Sequence, residues 1–131
     1  MPVGTFDCWP RKVVCGPGSL LQVGDLIRAM NKTRVIVFTD SVMKEFPVVV
    51  KLVDRLRSEG LSVSVFSEIG PNPTASMVHE AVTFMKGVQP EVMVGIGGGS
   101  AIDAGKAANV VYTHGGDVRE YDIAIGGITR I

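Results

Sequence analysis

Apolar residues in this chain fall into alternating blocks, some continuous and some spaced like one side of a helix. The first long continuous block is Arg34-Val35-Ile36-Val37-Phe38-Thr39. It offers no polar side, so it is expected to be a strand covered on both faces. Leu61-Ser62-Val63-Ser64-Val65-Phe66 and residues 91–96 read as two further strands. Between these blocks the spacing lengthens to three and four. Leu20, Leu21, Val23, Leu26, Ile27 and Met30 give an apolar side to a helix over residues 19–30, with Ser19 as its cap after a Gly16-Pro17-Gly18 turn. Val49, Leu52, Val53 and Leu56 do the same for a helix that starts near Pro47 and ends before Gly60. The run Val48-Val49-Val50 is β-branched and pulls locally toward a strand. Met77, Val78, Ala81, Val82 and Met85 mark a third helix. It is expected to be capped by Asn72, to carry Pro73 at its first position and to stop at Gly87. A fourth helix runs from Ser100 to about Tyr112. Its Ala101, Ala104, Gly105 and Ala108 are small enough to let it lie close on a sheet.

Strands alternating with helices predict an α/β fold, a mostly parallel sheet with helices on both faces. Such sheets bind ligands beyond the carboxyl ends of their strands. Asp40, Asn72 and a glycine run all follow strands directly. At the N-terminus, residues 5–15 read as two short extended pieces broken by Trp9-Pro10, an edge-strand arm with Phe6 and Trp9 as packing residues. At the other end, residues 123–131 read as a hairpin around Gly126-Gly127.

A length of 131 residues suits one domain, and 46% hydrophobic content excludes disorder. Lys+Arg and Asp+Glu balance at 13 each, so no global field favours nucleic acid or acidic lipid. No apolar stretch is long enough to span a membrane, and the first residues do not form a leader pattern, so a cytoplasmic location is expected. Cys8 and Cys15 are expected to act as small hydrophobes rather than as a disulfide or a metal site. His79 reads as a surface or satisfied histidine, and His114, in a loop, is assigned no role.

The chemistry concentrates in Gly95-Ile96-Gly97-Gly98-Gly99-Ser100, between a strand and a helix. Glycines let a bound group touch bare backbone, and a helix start aims unpaired amides at it. Two familiar phosphate motifs fail here. A dinucleotide fingerprint starting at Gly95 would place its third glycine where Ser100 stands. A P-loop ending in Gly105-Lys106 would need Ser or Thr where Ala107 stands. The run therefore reads either as a tight turn or, preferred on its glycine content, as an anion cradle for a pyrophosphate. Several neighbours carry two readings each. Asp40 is a turn aspartate or an acceptor for ribose hydroxyls, which would favour NAD over NADP. Asn72 is a helix cap or a cofactor contact. Asp103 closes a Ser100-x-x-Asp103 capping box or accepts from a cofactor. Lys106 is a solvated lysine or a phosphate contact.

Four segments occur in a telling order: Gly16-Pro17-Gly18-Ser19-Leu20, Val37-Phe38-Thr39-Asp40, Pro71-Asn72-Pro73-Thr74, and Gly97-Gly98-Gly99-Ser100-Ala101-Ile102-Asp103-Ala104-Gly105-Lys106. Together they resemble the motifs of the iron-containing alcohol dehydrogenases. The resemblance implies a Rossmann-like domain over residues 1–131 that binds NAD, with NADP less favoured. By analogy Asp40 holds the adenosine ribose and Gly98, Gly99 and Ser100 hold the pyrophosphate, with Gly97 also among the cofactor-binding residues. Asn72 and Asp103 line the site, Asp103 toward the nicotinamide ribose. The family transfers a hydride between the nicotinamide and a small alcohol or aldehyde, with help from a divalent metal, often iron. The metal ligands and substrate pocket belong to a second, helical domain, expected beyond residue 131. No catalytic residue and no metal ligand is therefore expected within residues 1–131. The chain is expected to be the amino-terminal cofactor domain of a longer enzyme, inactive alone and assembled as a homodimer or larger homo-oligomer. The alternatives are the cofactor domain of a related glycerol dehydrogenase or dehydroquinate synthase, and a non-catalytic assembly module.

Overall fold

A computed structural model describes residues 12–122 of the chain. Strand β1 (Arg34–Phe38) lies at the centre of a three-stranded sheet, between β2 (Ser62–Phe66) and β3 (Val92–Gly95). Both pairings are parallel, with Val37 opposite Val65 on one side and Val94 on the other. The continuous apolar run explains the central place. Val35, Ile36, Val37 and Phe38 are all exposed by 2% or less. Such burial on two faces is open only to a strand with no polar side. The ladder continues past the strand ends, where the Thr39 amide donates to Phe66 O and the Ile96 amide to Phe38 O.

The four α-helices divide between the faces. Helices α1 (Val23–Ala29) and α2 (Pro47–Ser58) cover Val35 and Val37 with Ile27, Val49, Leu52, Val53 and Leu56. On the opposite face, α3 (Ala75–Val88) and α4 (Gly99–His114) cover Ile36, Phe38 and Phe66. The small residues of α4 are buried as expected. The approach is so close that a Cβ at Gly105 would sit 3.3 Å from both Phe38 Cγ and Met93 Sδ. In α2 the β-branched run is helical because one valine gains a core place. Val49 is 1% exposed, while Val48 and Val50 remain 47% and 43% exposed.

Helix ends depart from the sequence expectations. The segment expected as one helix over residues 19–30 is a 3-10 turn, Ser19–Gln22, followed by α1, and Ser19 makes no cap. Gly18, at φ 78°, turns the chain into it. Asn72 is not the cap of α3. It takes a left-handed φ of 54°, which asparagine tolerates, and Thr74 caps instead by accepting the Met77 amide at 3.3 Å. Nor does Gly87 stop that helix. Gln89 does so at φ 51°, donating to Met85 O at 2.7 Å, and Pro90 then bars another turn. Helix α4 continues through His114 and ends at Gly115, so His114 is helical. Cys15, expected as a small hydrophobe, is an exposed free thiol. The hairpin expected over residues 123–131 lies outside the described residues, as does most of the expected N-terminal arm, and among the described residues Lys12 to Cys15 pair with no strand. Among the described residues no helix is long and apolar enough to cross a membrane.

At the edge away from the strands' carboxyl ends, Glu91 ties β3 to β1. Its Oε2 accepts the Thr33 and Arg34 amides, each at 3.1 Å. Those two bonds, Thr33 first, hold its carboxyl below the ordinary value of 4.5. A depressed folded-state value means stability present above the unfolded value and lost as pH falls through the folded one. Urea unfolding from pH 7 down to pH 3 should therefore show an acid loss that Glu91→Gln reduces.

Core position and exposure give a second expectation. Leu56, fully buried in α2, should cost about 2–5 kcal/mol when replaced by alanine. Val50→Ala, on the exposed side of the same helix, should change stability by no more than about 0.5 kcal/mol. Denaturant midpoints of the two variants check both.

Candidate functional site

The loops leaving the three strands meet at one edge of the sheet, because parallel strands all end on the same side. Between them lies a cleft of about 320 Å³. Its lining includes Asp40 after β1, Gly70 and Pro71 after β2, and Gly98, Gly99 and Ser100 after β3. That volume is at the low end for small-molecule sites.

One wall is the start of α4. Gly98 is the N-cap, extended at φ −74° and ψ 177°, and has no side chain to cap with. Its carbonyl accepts the Ile102 amide at 3.2 Å. The amides of the first turn have no partner within the helix, and the helix dipole adds positive character there. Among the described residues nothing else fills this space. A Cβ built on Gly98 or Gly99 would meet no atom within 4 Å, and neither residue has a positive φ. The fold itself therefore makes no demand for glycine at 98 and 99, and the bare backbone there is open to a guest.

Gly97 is different in kind. Its φ of 141° is one that side chains rarely adopt. A Cβ there would sit 3.2 Å from Asp40 Oδ2 and 3.3 Å from Ala101 Cβ. This glycine lets the loop pass beside the carboxylate.

Asp40 is half-buried where β1 runs out. Its Oδ1 accepts the Val42 amide at 3.0 Å and the Met43 amide at 2.7 Å, fixing the turn into the 3-10 segment Met43–Glu45. Its Oδ2, which makes no hydrogen bond among the described residues, lies beside Gly97. The turn role is thus present, and one oxygen remains for a ligand.

The structure brings Asp40, Gly98, Gly99 and Ser100 to one cleft, with Gly97 against it. Asn72 and Asp103 do not line it. Asn72 is exposed next to Pro71 on the rim. Asp103 is exposed one turn into α4, 3.8 Å from Lys106 Nζ. The Ser100–Asp103 capping box does not form, because α4 starts at Gly99 and leaves Ser100 inside the helix. Ile69, Gly70 and Val42 line the cleft without having been singled out from sequence. The Gly70-Pro71 pair directly after a strand was the available signal.

A separate polar cluster joins α3 to the 3-10 turn Val118–Tyr121. Arg119 makes a two-pronged contact with Asp117 at 2.9 and 2.7 Å, and His79 Nε2 lies 3.5 Å from the same carboxylate. The guanidinium holds the Asp117 carboxyl well below the usual carboxylate range. Among the described residues no group of three or more His, Cys, Asp or Glu could hold a metal ion.

An open parallel α/β sheet binds its ligands beyond the carboxyl ends of its strands, where the bare backbone of Gly98 and Gly99 and the Asp40 carboxylate lie here. Comparison with known proteins narrows this. Residues 10–130 match the model of the iron-containing alcohol dehydrogenase family, and the chain belongs to that family. It is 30% identical over 112 residues to the NAD-dependent methanol dehydrogenase of Bacillus methanolicus, which covers 86% of this chain and 29% of that protein. The crystal structure of NADH-dependent butanol dehydrogenase A from Thermotoga maritima superposes with a TM-score of 0.82 at 30% identity, over 93% of this chain and 31% of that one. Sulfoacetaldehyde reductase from Bifidobacterium kashiwanohense, solved in complex with NAD+, superposes with a TM-score of 0.72 at 27% identity, over 81% of this chain and 28% of that one. The chain therefore spans less than a third of the length of these relatives.

The two kinds of glycine give a test. Gly97→Ala should lower stability by about 1–3 kcal/mol, since it forces a side chain into a strained φ beside Asp40. Gly99→Ala, in open space within a helix, should keep or slightly raise the melting temperature. Thermal unfolding of both variants without ligand reads the difference.

Proposed function

We propose that the cleft takes the adenosine diphosphate part of NAD(H). In this reading the chain is the cofactor-holding portion of a metal-dependent dehydrogenase of small alcohols or aldehydes. The observation that carries it is the open backbone at Gly98 and Gly99, facing the same cleft as the Asp40 carboxylate. The amides of Gly98, Gly99 and Ser100 bind the pyrophosphate, with Gly97 shaping the loop. Asp40 accepts the ribose hydroxyls, the oxygen that the turn leaves free being the first to engage. The same negative charge repels a 2′-phosphate, so NAD is preferred to NADP. Asn72 and Asp103, outside the cleft lining, are contacts for the parts of a dinucleotide that extend past it, Asp103 toward the nicotinamide ribose.

Bound NAD supplies the hydride acceptor, and its reduced form the donor. What these residues contribute is binding, orientation and the choice between the two dinucleotides. The described residues offer no metal cluster, so the Lewis-acid part of such a reaction is not assigned to them. The isolated chain accordingly binds cofactor weakly, does not turn over alcohol, and self-associates as a homodimer or larger homo-oligomer.

Calorimetry with millimolar NAD should show binding heat, and NADP should bind more weakly. Asp40→Asn keeps an oxygen for the turn amides and removes the charge. It should narrow the preference for NAD over NADP by about tenfold. No alcohol-dependent formation of NADH should be detectable with the chain alone. Absence of heat with NAD would overturn the reading of the cleft, and turnover would overturn the proposed inactivity.

A further inference from the structure

One buried polar group has no partner. Thr39 is fully buried, and its hydroxyl is the one buried side-chain polar atom without a hydrogen bond among the described residues. An unpaired buried hydroxyl costs stability, and a valine of the same shape would avoid that cost. Its neighbours Val35, Ile36, Val37 and Phe38 are all apolar, so packing gives no reason for a polar residue at the end of this strand.

Its position offers a reason. The Thr39 amide still bonds to Phe66, so the strand alternation extends to it and sets it on the face of Val35 and Val37. Met43 packs against that same face. Thr39 is therefore on the side of the sheet where the turn through residues 40–43 comes down. Asp40 carries this turn alone, with one carboxylate oxygen accepting both the Val42 and Met43 amides. Threonine and aspartate both accept from amides two or three residues onward. From Thr39 those positions are Ser41 and Val42, so the Val42 amide stands at a sequence spacing that either side chain can serve.

Resting on the reading of the cleft above, we infer that Thr39 is a positioning residue for Asp40, its hydroxyl a reserve acceptor for the Val42 amide. A ribose presents two hydroxyls, and taking both draws the two carboxylate oxygens toward the ligand. The amide at 3.0 Å is the longer of the two turn bonds and the one released. Val42 also lines the cleft, so an occupant shuts water away from its amide. Thr39 then accepts that amide, and both groups end paired. The Thr39 hydroxyl is thereby paired when Asp40 is committed to ligand.

The test compares Thr39→Val and Thr39→Ser with the unaltered 131-residue chain, using NAD as the probe. Thr39→Val should melt at the same or a higher temperature without ligand, yet bind NAD about fivefold more weakly. Thr39→Ser keeps the hydroxyl and should bind within about twofold of the unaltered chain, despite its lost methyl group. Amide hydrogen exchange supplies a readout that simple packing would not move. Protection of Val42 should survive NAD saturation in the unaltered chain and fall in Thr39→Val. Equal NAD affinity of Thr39→Val and the unaltered chain would overturn this inference alone. Equal weakening in Thr39→Val and Thr39→Ser would assign the effect to packing and overturn it as well. Failure of the unaltered chain to bind NAD would instead remove the reading of the cleft, and this inference with it.

Discussion

A strand with only apolar side chains at its centre cannot turn either face to water, and β1 imposes that condition on its surroundings. Its two faces need separate covers, and two pairs of helices provide them. Each cover needs a helix between successive strands, which makes the strands parallel. Parallel strands end on one side, so every loop that follows a strand leaves from the same edge. The cleft at that edge follows from how β1 is buried, before any residue in the cleft is considered.

The two ends of the sheet are finished by carboxylates that use the same chemistry to different effect. At the starting edge Glu91 accepts two amides and holds β3 to β1, a purely structural clasp. At the carboxyl edge Asp40 likewise accepts two amides through one oxygen, but its other oxygen lies beside Gly97, whereas the second oxygen of Glu91 faces the Arg34 guanidinium. A carboxylate that fixes its own loop is already oriented before a ligand arrives, which lowers the ordering cost of binding. The three glycines divide in a similar way. Gly97 is needed by the chain, because its conformation and its neighbour leave no room for a side chain. Gly98 and Gly99 are different, for among the described residues neither conformation nor neighbours require glycine there.

Membership of the iron-containing alcohol dehydrogenases fits this arrangement, and the chain spans 28–31% of the length of the three relatives compared. In the proposed reading the preference between dinucleotides and the grip on the ribose come down to Asp40 and the turn beneath it. On that reading, electrostatics near a single carboxylate, rather than the overall charge of a balanced chain, governs the choice of cofactor.

Periodicity alone determined the strands, the four helices and the two-sided cover of the sheet, because burial acts on every third or fourth residue of a helix and on both sides of β1. The helix ends were not legible in the same way. Asn72 and Thr74, or Gly87 and Gln89, are rival end residues a few positions apart, and their local preferences differ by only about 1 kcal/mol. Core places for Val78 and Met85 outweigh such differences and choose the ends. The glycine cradle was visible as a motif, but its nearness to Asp40 was not. They stand 57 positions apart, from 40 to 97, and only the pairing of β1 with β3 puts one beside the other. The same holds for the exclusion of Asn72 and Asp103 from the cleft lining and for the unpaired hydroxyl of Thr39. Local sequence states which groups are available, while the packing of distant segments decides which of them face one another.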